Sequence, residues 1–95
     1  MSYSIEWDSI ALQQLARIWT DSTEKRAVTS SVDQIDKVLA HEPNESGEDY
    51  FGDRLLIASP LWSLYRVDLK NPSVTILQVG VFGVDLPHEN LPPSA

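Results

Sequence analysis

The sequence predicts an α+β domain in which a helical hairpin packs on one face of a small, mainly antiparallel, four-stranded sheet. Residues 54–80 form an apolar, β-favouring run that is broken only at 58–60 and 70–73, and the residues there are typical of turns. This spacing predicts a three-stranded meander. Two segments with helical periodicity precede it, and 95 residues suffice for one core. We therefore assign residues 1–83 to a single domain and 84–95 to a Pro-rich tail.

The chain opens with a short strand and a helix. Residues 3–7 alternate apolar and polar side chains, which is the period of a half-buried strand. Asp8 has the side chain of a good N-cap for the helix that follows. The apolar positions of this helix recur at helical spacing, and we expect Leu12, Leu15 and Trp19 to face the sheet.

A second helix follows a short polar turn. Asp21, with Glu24 three residues later, resembles a capping pair at its start, and Pro43 ends it. Helices joined by so short a turn pack as an antiparallel hairpin, so we expect this helix also to bury its apolar side. Its apolar residues recur at i, i+4, i+7 and i+11 as one stripe: Val28, Val32, Ile35 and Leu39.

Three further strands are expected at about 50–57, 61–69 and 74–81. The segment 42–53 that leads into them is acidic and contains no basic residue. It either faces solvent or forms a contact surface for a cationic partner. Prolines in the tail prevent regular helix or sheet there, so an irregular end is expected.

Charge and cysteine content limit the classes of function. Seven basic residues against fourteen acidic ones give a net charge of −7. Because each phosphate contact draws on Lys or Arg, we expect no direct DNA binding. The absence of cysteine excludes disulfides and thiolate chemistry, and two widely separated histidines have no metal-ligand spacing, so neither metal nor cofactor is expected. Without a basic leader or a long apolar stretch, the chain is expected to be soluble, cytoplasmic and free of membrane contact.

Several short segments between residues 3 and 81 match, in the same order along the chain, the pattern of a known protein family. They are Tyr3-Ser4-Ile5-Glu6-Trp7 with Ala11 and Leu15, the Ile35/Leu39/Pro43 exit of the second helix, Gly52 and Arg54, Leu64-Tyr65-Arg66-Val67-Asp68, and Val74-Thr75-Ile76-Leu77. In the order β-α-α-β-β-β, this pattern resembles the RelE/ParE superfamily of toxins from bacterial type II toxin–antitoxin systems, to which plasmid stabilisation proteins belong. The resemblance implies a sheet whose helix-free, concave face contacts RNA or another target. It also implies a cognate antitoxin from an adjacent gene.

The chain departs from the family pattern where nuclease activity is concerned. Many ribosome-dependent nucleases of the family carry an arginine three positions before the tyrosine matched by Tyr65, and here that position is Trp62. The basic or histidine-containing run that often ends the last strand is replaced by residues 79–85, which have no basic side chain. Cleavage through the RNA 2′-hydroxyl needs a base, an acid and a cation for the developing phosphorane charge.

Four residues are candidates for that chemistry. Arg54 and Arg66 are suited to clamp phosphate, since guanidinium binds it bidentately, or else each pairs with a nearby acid such as Asp53. Tyr65 is either a proton donor or a core tyrosine with its hydroxyl at an edge. His88, in the tail, is a candidate acid.

Five residues are candidates for binding. Trp62 and Phe82 either stack on bases or serve packing and partner contact. Glu45, Glu48 and Asp49 are expected to receive Lys or Arg from a basic partner.

Two functions stay open on these observations. In the first, the chain is a toxin that cuts mRNA on the translating ribosome, with Arg54 and Arg66 stabilising phosphate charge. In the second, it is a non-catalytic module of the same fold that grips a protein target, as the ParE branch is thought to do with DNA gyrase, or that has lost toxicity. The acidity of the chain and Trp62 in place of arginine favour the second.

Overall fold

The structure is a computed structural model that describes residues 3–84. Two helices and five strands follow one another along this part of the chain. They are β1 (Ser4–Trp7), α1 (Ser9–Asp21), α2 (Lys25–His41), β2 (Glu48–Tyr50), β3 (Asp53–Ala58), β4 (Leu61–Asp68) and β5 (Ser73–Val81). The predicted α+β class is confirmed, and so is the order of its elements, with one strand added between α2 and the meander.

The strands form one sheet in the order β1-β5-β4-β3-β2. β1 pairs with β5 in parallel, and every other pair is antiparallel, so the mainly antiparallel sheet is as predicted. The predicted count of four strands was wrong because residues 50–57 do not form one strand. Phe51 and Gly52 have φ values of 51° and 92°, which make a tight two-residue turn between β2 and β3. Phenylalanine rarely adopts positive φ, so the residues at this position do not predict a turn.

Both helices cover the same face of the sheet, and the core lies between them and the strands. α2 buries Val28, Ile35 and Leu39 as predicted, with Val32 half-buried beside them. α1 contributes Ala11, which is fully buried. The strands supply the opposite wall of this core: Ala58, Leu61, Tyr65, Val74, Ile76 and Val79.

The stripe predicted for α1 was wrong in part. Leu15 packs against the core, but Leu12 and Trp19 are 51% and 45% exposed. The core-facing row is instead Ala11, Leu15 and Ile18, at i, i+4 and i+7. Leu12 and Trp19 lie seven residues apart and form a second row beside the first.

The helix starts differ in how well they were predicted. Asp8 is the N-cap of α1, and its Oδ2 accepts a hydrogen bond from the Ile10 amide at 3.2 Å, as predicted. Asp21 does not cap α2, because α1 extends to include it. The N-cap of α2 is Glu24, whose amide donates to the Ser22 hydroxyl at 2.9 Å.

α1 also protects an edge of the sheet. β1 pairs with β5 only as far as Ile76, which leaves the later part of β5 without a neighbouring strand on that side. There the Val79 amide donates to Gln14 Oε1 at 2.9 Å. The helix thereby satisfies a backbone donor that would otherwise offer a pairing edge to another chain.

None of the helices within residues 3–84 is both long and apolar enough to cross a membrane.

Candidate functional site

The two arginines predicted to clamp phosphate lie on opposite faces of the sheet. Arg54 on β3 pairs directly with Tyr65 on β4, and directly paired residues share a face. Since Tyr65 belongs to the core under the helices, Arg54 lies on the helix-bearing face. Arg66 is the next residue along β4 and therefore projects from the helix-free face. The sheet separates the two cations.

Arg54 holds the loop that connects α2 to β2. Its Nε donates to the Ser46 carbonyl at 3.0 Å, and its Nη2 donates to the Gly47 carbonyl at 3.1 Å. Gly47 has φ of +70°, and a Cβ there would overlap the Leu55 carbonyl oxygen. The loop therefore packs closely against β3, and the Arg54 guanidinium holds it there through these two hydrogen bonds.

Tyr65 binds the same loop from the core. The side chain is fully buried, and its hydroxyl lies 2.8 Å from the Pro43 carbonyl and 2.7 Å from the Ser46 carbonyl. Burial raises the pKa of this phenol, and a hydrogen bond from Arg54 offsets the rise only in part. A neutral hydroxyl directed at two backbone carbonyls of the interior supports the loop, and it has no access to a substrate at the surface.

Arg66 is paired with an acid on the helix-free face. Its Nε lies 2.8 Å from Asp53 Oδ1, and its Nη2 lies 3.3 Å from Asp53 Oδ2. The arginine side chain is 66% exposed and the aspartate 11% exposed. Asp53 raises the pKa of Arg66, so the guanidinium stays charged, and the same carboxylate occupies one edge of its binding fork.

The predicted aromatic residues differ in exposure. Trp62 lies on the helix-free face, opposite Ile57 of β3, and is only 3% exposed. Phe82 follows the end of β5, is 56% exposed, and its amide donates to the Pro60 carbonyl at 2.8 Å. His88, the candidate acid, lies outside the described residues.

The acidic residues lie on and beside the edge strand β2, and Asp49 pairs directly with Arg54 of β3. Glu45, Glu48 and Asp49 are all exposed, the first in the loop and the others on the edge strand β2. Glu48 and Asp49 pair with successive residues of β3, so they project from opposite faces of the sheet. Negative charge on a short edge strand also discourages pairing with another chain.

A groove between α1 and α2 is a feature that sequence reasoning missed. It encloses about 420 Å³, and its floor is apolar. At one end Lys25 lies 4.8 Å from the centre of the Trp19 ring and donates to the Ser22 carbonyl at 2.8 Å. The signal that would have found it is the second apolar row of α1. The lining consists of Leu12, Leu15, Ala16, Trp19, Thr20, Val28, Thr29, Val32 and Asp33.

The described residues therefore offer a partial set of catalytic groups. Arg66 supplies a cation on the helix-free face, while Arg54 and Tyr65 are engaged on the other side. Within residues 3–84 no three His, Asp or Glu side chains are grouped so that they could hold a metal ion. An arrangement of this kind can bind a phosphate or a carboxylate at Arg66, and it can bind an apolar segment in the groove.

The fold matches solved toxin structures over most of the chain. The toxin–antitoxin complex RelBE2 from Mycobacterium tuberculosis aligns with a TM-score of 0.72 at 21% identity, covering 85% of this chain and 99% of that one. The chromosomal ParDE system from P. aeruginosa gives 0.66 at 20% identity, with 84% and 96% covered. A mutant of the E. coli toxin RelE in the free state gives 0.64 at 17% identity, with 90% and 88% covered.

Sequence identities of this size show a shared fold. The activity has to be inferred from the residues at the site. No protein-family model and no curated protein matches the sequence.

Proposed function

We propose that this chain, which has the fold of the RelE and ParE toxins, is the toxin-like component of a bacterial toxin–antitoxin pair and acts by binding. The observation that carries the proposal is the open apolar groove between α1 and α2. Two of the matching structures are toxin–antitoxin systems, and this agrees with a groove that is open to a partner protein.

The groove has the form that peptide segments use as a docking site. Leu12 and Trp19 lie two turns apart on one side of α1 and keep about half of their surfaces in water. A partner helix places apolar anchors at similar spacing into such a groove. Because about half of each side chain is already buried, covering the remainder contributes about 1 kcal/mol each, and tryptophan is among the residues that most often dominate binding energy.

The charges around the groove also suit a peptide partner. Lys25 stands at one end and Asp33 at the rim, so both signs of charge are available to fix its direction. We assign this site to the cognate antitoxin, encoded beside this gene. The acidic edge at Glu45, Glu48 and Asp49 is where basic residues of that antitoxin add steering.

Cutting of mRNA on the ribosome is the second candidate function. It is favoured by the exposed, permanently charged guanidinium of Arg66, which is placed to contact a phosphate. Two observations argue against it. The Tyr65 hydroxyl is bound to the loop carbonyls, and Arg54 lies on the helix-bearing face, on the other side of the sheet from Arg66. Binding to a protein target requires neither a base nor a second cation, and we prefer it for that reason.

The test uses the product of the reading frame next to this gene. Isothermal titration gives the dissociation constant of that product for the wild-type chain and for the variant Leu12→Glu/Trp19→Glu. Because both side chains are half exposed, the variant retains its fold, which far-UV circular dichroism checks. Two charges in the apolar groove are expected to weaken binding by about 100-fold or more, in line with the loss of two anchoring residues.

The matched control is Gln13→Glu. It adds a negative charge to the same helix at an exposed position outside the groove lining. We expect it to leave the dissociation constant within about twofold, since a single exposed charge outside the groove changes affinity little. Equal binding by wild type and the double variant would remove the groove as the antitoxin site.

A further inference from the structure

Two turns at the same end of the sheet each carry an exposed apolar side chain. Phe51, in the turn between β2 and β3, is 85% exposed, and Leu69, directly after β4, is 64% exposed. β3 begins at Asp53 and β4 ends at Asp68, and these strands are antiparallel, so both turns lie at one end of the sheet. The turns are separated by one or two strand spacings of about 4.8 Å each, so both side chains can enter one pocket of a partner.

Phe51 is an unfavourable residue for the turn that it occupies. Its φ of 51° is rare for a bulky side chain, and asparagine is the residue that such a turn favours before Gly52. The ring contacts the edge of Tyr50, with ring centres 4.8 Å apart, but most of its surface stays in water. A large apolar side chain that costs backbone stability on an exposed turn points to a role in binding.

The turn that carries Leu69 is held by hydrogen bonds to one aspartate. Asp68 Oδ1 accepts from the Lys70 amide at 2.9 Å, and Asp68 Oδ2 accepts from Asn71 Nδ2 at 2.7 Å. The turn of Phe51 is held by the pairing of β2 with β3 directly beside it. Both apolar side chains therefore stand on ordered backbone, which lowers the conformational entropy that is lost when a partner binds.

The charges beside the two turns indicate the chemistry of the partner. Segments 48–53 and 66–71 together contain four acidic and two basic residues, and one of these bases, Arg66, is paired with Asp53. Nucleic acid is a poor partner for this surface, because its phosphates would meet a net negative charge. An apolar pocket of a protein, rimmed by Lys or Arg, matches both the exposed apolar side chains and the excess of acid.

This end of the sheet is remote from the groove between α1 and α2. Ser31 lies on the part of α2 that lines the groove, and its hydroxyl donates to the Ser59 carbonyl, just before β4, at 2.8 Å. Leu69 follows the other end of β4, whose length is about 23 Å at about 3.3 Å per residue. A partner segment bound in the groove therefore does not have to cover Phe51 or Leu69.

We propose that Phe51 and Leu69 form a second binding surface, through which the chain inserts two apolar side chains into a basic-rimmed apolar pocket of its protein target. This inference rests on the proposed function, in which the chain acts on such a target by binding. The antitoxin then occupies the groove, and the target occupies the turns at the far end of the sheet.

Induced expression without the antitoxin tests the proposal, with colony counts compared at equal levels of the expressed protein. The variant is Phe51→Asn/Leu69→Asn, because asparagine suits turns and the fold is retained. Loss of one dominant anchoring residue weakens binding by about 30-fold. We therefore expect wild type to arrest growth and the double variant to allow it.

The matched control is Ile10→Asn. It removes an apolar side chain that is 56% exposed, on α1 and outside the groove lining. We expect this variant to arrest growth as wild type does. Recovery of growth with Ile10→Asn as well as with the double variant would contradict a specific role for the two turns.

A second measurement separates the target surface from the fold and from the groove. Isothermal titration of the double variant with the product of the adjacent reading frame is expected to give a dissociation constant within about twofold of wild type, because distant sites act independently. Loss of this binding together with loss of arrest would overturn the proposal, since both side chains would then serve the fold or the groove.

Two outcomes of the growth assay distinguish this proposal from the proposed function. Arrest by the double variant equal to that of wild type would overturn the second surface and leave the proposed function standing. Absence of arrest with wild type would remove the proposed function and the second surface with it.

Discussion

The helix-bearing face and the helix-free face of the sheet each carry an arginine, and the two arginines make different contacts. On the helix-bearing side, Arg54 and Tyr65 converge on the carbonyls of the loop and are tied to the backbone. On the other side, Arg66 pairs with the carboxylate of Asp53 and keeps most of its surface in water. Arg54 therefore stabilises the loop, whereas Arg66 is a charged side chain at the surface.

The comparison shows that strand alternation, more than residue type, decides what an arginine can do here. A pair of basic residues on neighbouring strands suggests one phosphate site until the register is known. Arg54 pairs with Tyr65, and that one relation places the two guanidinium groups on opposite sides. The two regions are therefore expected to differ in how much each side chain contributes to stability.

The largest effect is expected from Tyr65→Phe. It leaves the carbonyls of Pro43 and Ser46 without the buried hydroxyl, and we expect a loss of about 1–3 kcal/mol in the free energy of unfolding. Urea unfolding at pH 7 measures this loss. A variant as stable as wild type would show that the loop does not depend on the hydroxyl.

The same variant gives a pH signature. The pKa of Tyr65 is raised in the folded chain above its ordinary value of 10.0, so its stabilising contribution is complete below pH 10. That contribution is lost as the pH rises through the higher folded-state pKa, because the unfolded chain releases the proton first. The stability difference between wild type and Tyr65→Phe is therefore expected to narrow above pH 10. A constant difference would contradict the burial of the phenol.

A smaller effect is expected from Arg54→Ala, and a smaller one still from Arg66→Ala. Arg54 makes two hydrogen bonds to the loop, and we expect its removal to cost about 1–2 kcal/mol. Arg66 is mostly exposed, and its loss opens Asp53 to water, so we expect a cost under about 1 kcal/mol. Urea unfolding of both variants gives the comparison, and an equal cost would remove the distinction between the two regions.

A double-mutant cycle sharpens the result. Arg54 and Tyr65 share the Ser46 carbonyl, so Arg54→Ala and Tyr65→Phe are expected to be non-additive by about 0.5 kcal/mol or more. Arg66→Ala is expected to add to Tyr65→Phe within about 0.5 kcal/mol, because a sheet lies between the side chains.

How far the sequence predicted the molecule depends on the type of signal. The stripe of α2 and the meander were predicted because their periodicity is regular and their turns contain Ser, Pro and Asn. The hairpin at Phe51 was missed because its turn uses a residue that rarely adopts positive φ. For α1 the apolar residues cover more than one row, and only the structure shows that Ala11, and not Leu12, faces the core.

The candidate site was harder to predict than the fold. Arg54, Arg66 and Tyr65 were found by residue type. The contacts of Arg54 and Tyr65 depend on the path of the loop after α2, and the contact of Arg66 with Asp53 depends on the register of β3 and β4, and neither is specified by a local sequence pattern. The groove depends on how far apart two helices lie, which no single segment specifies.

The smallest effect is expected from Phe51→Asn. Asn-Gly is favoured in a turn with positive φ at both positions, so the backbone gains stability. The edge contact between Phe51 and Tyr50, with ring centres 4.8 Å apart, is lost and offsets part of it. We expect a net gain of a few tenths of a kcal/mol in urea unfolding. A loss above about 1 kcal/mol would show that the phenyl ring supports the sheet.

The most direct test of binding against RNA cutting is induced expression of the chain without its antitoxin, with growth and the 5′ ends of cellular mRNA measured together. Wild type and Arg66→Ala are compared, since Arg66 is the cation that RNA cutting would use. Our account predicts growth arrest with no new mRNA ends in either strain. New ribosome-dependent ends that appear with wild type and vanish with Arg66→Ala would contradict it.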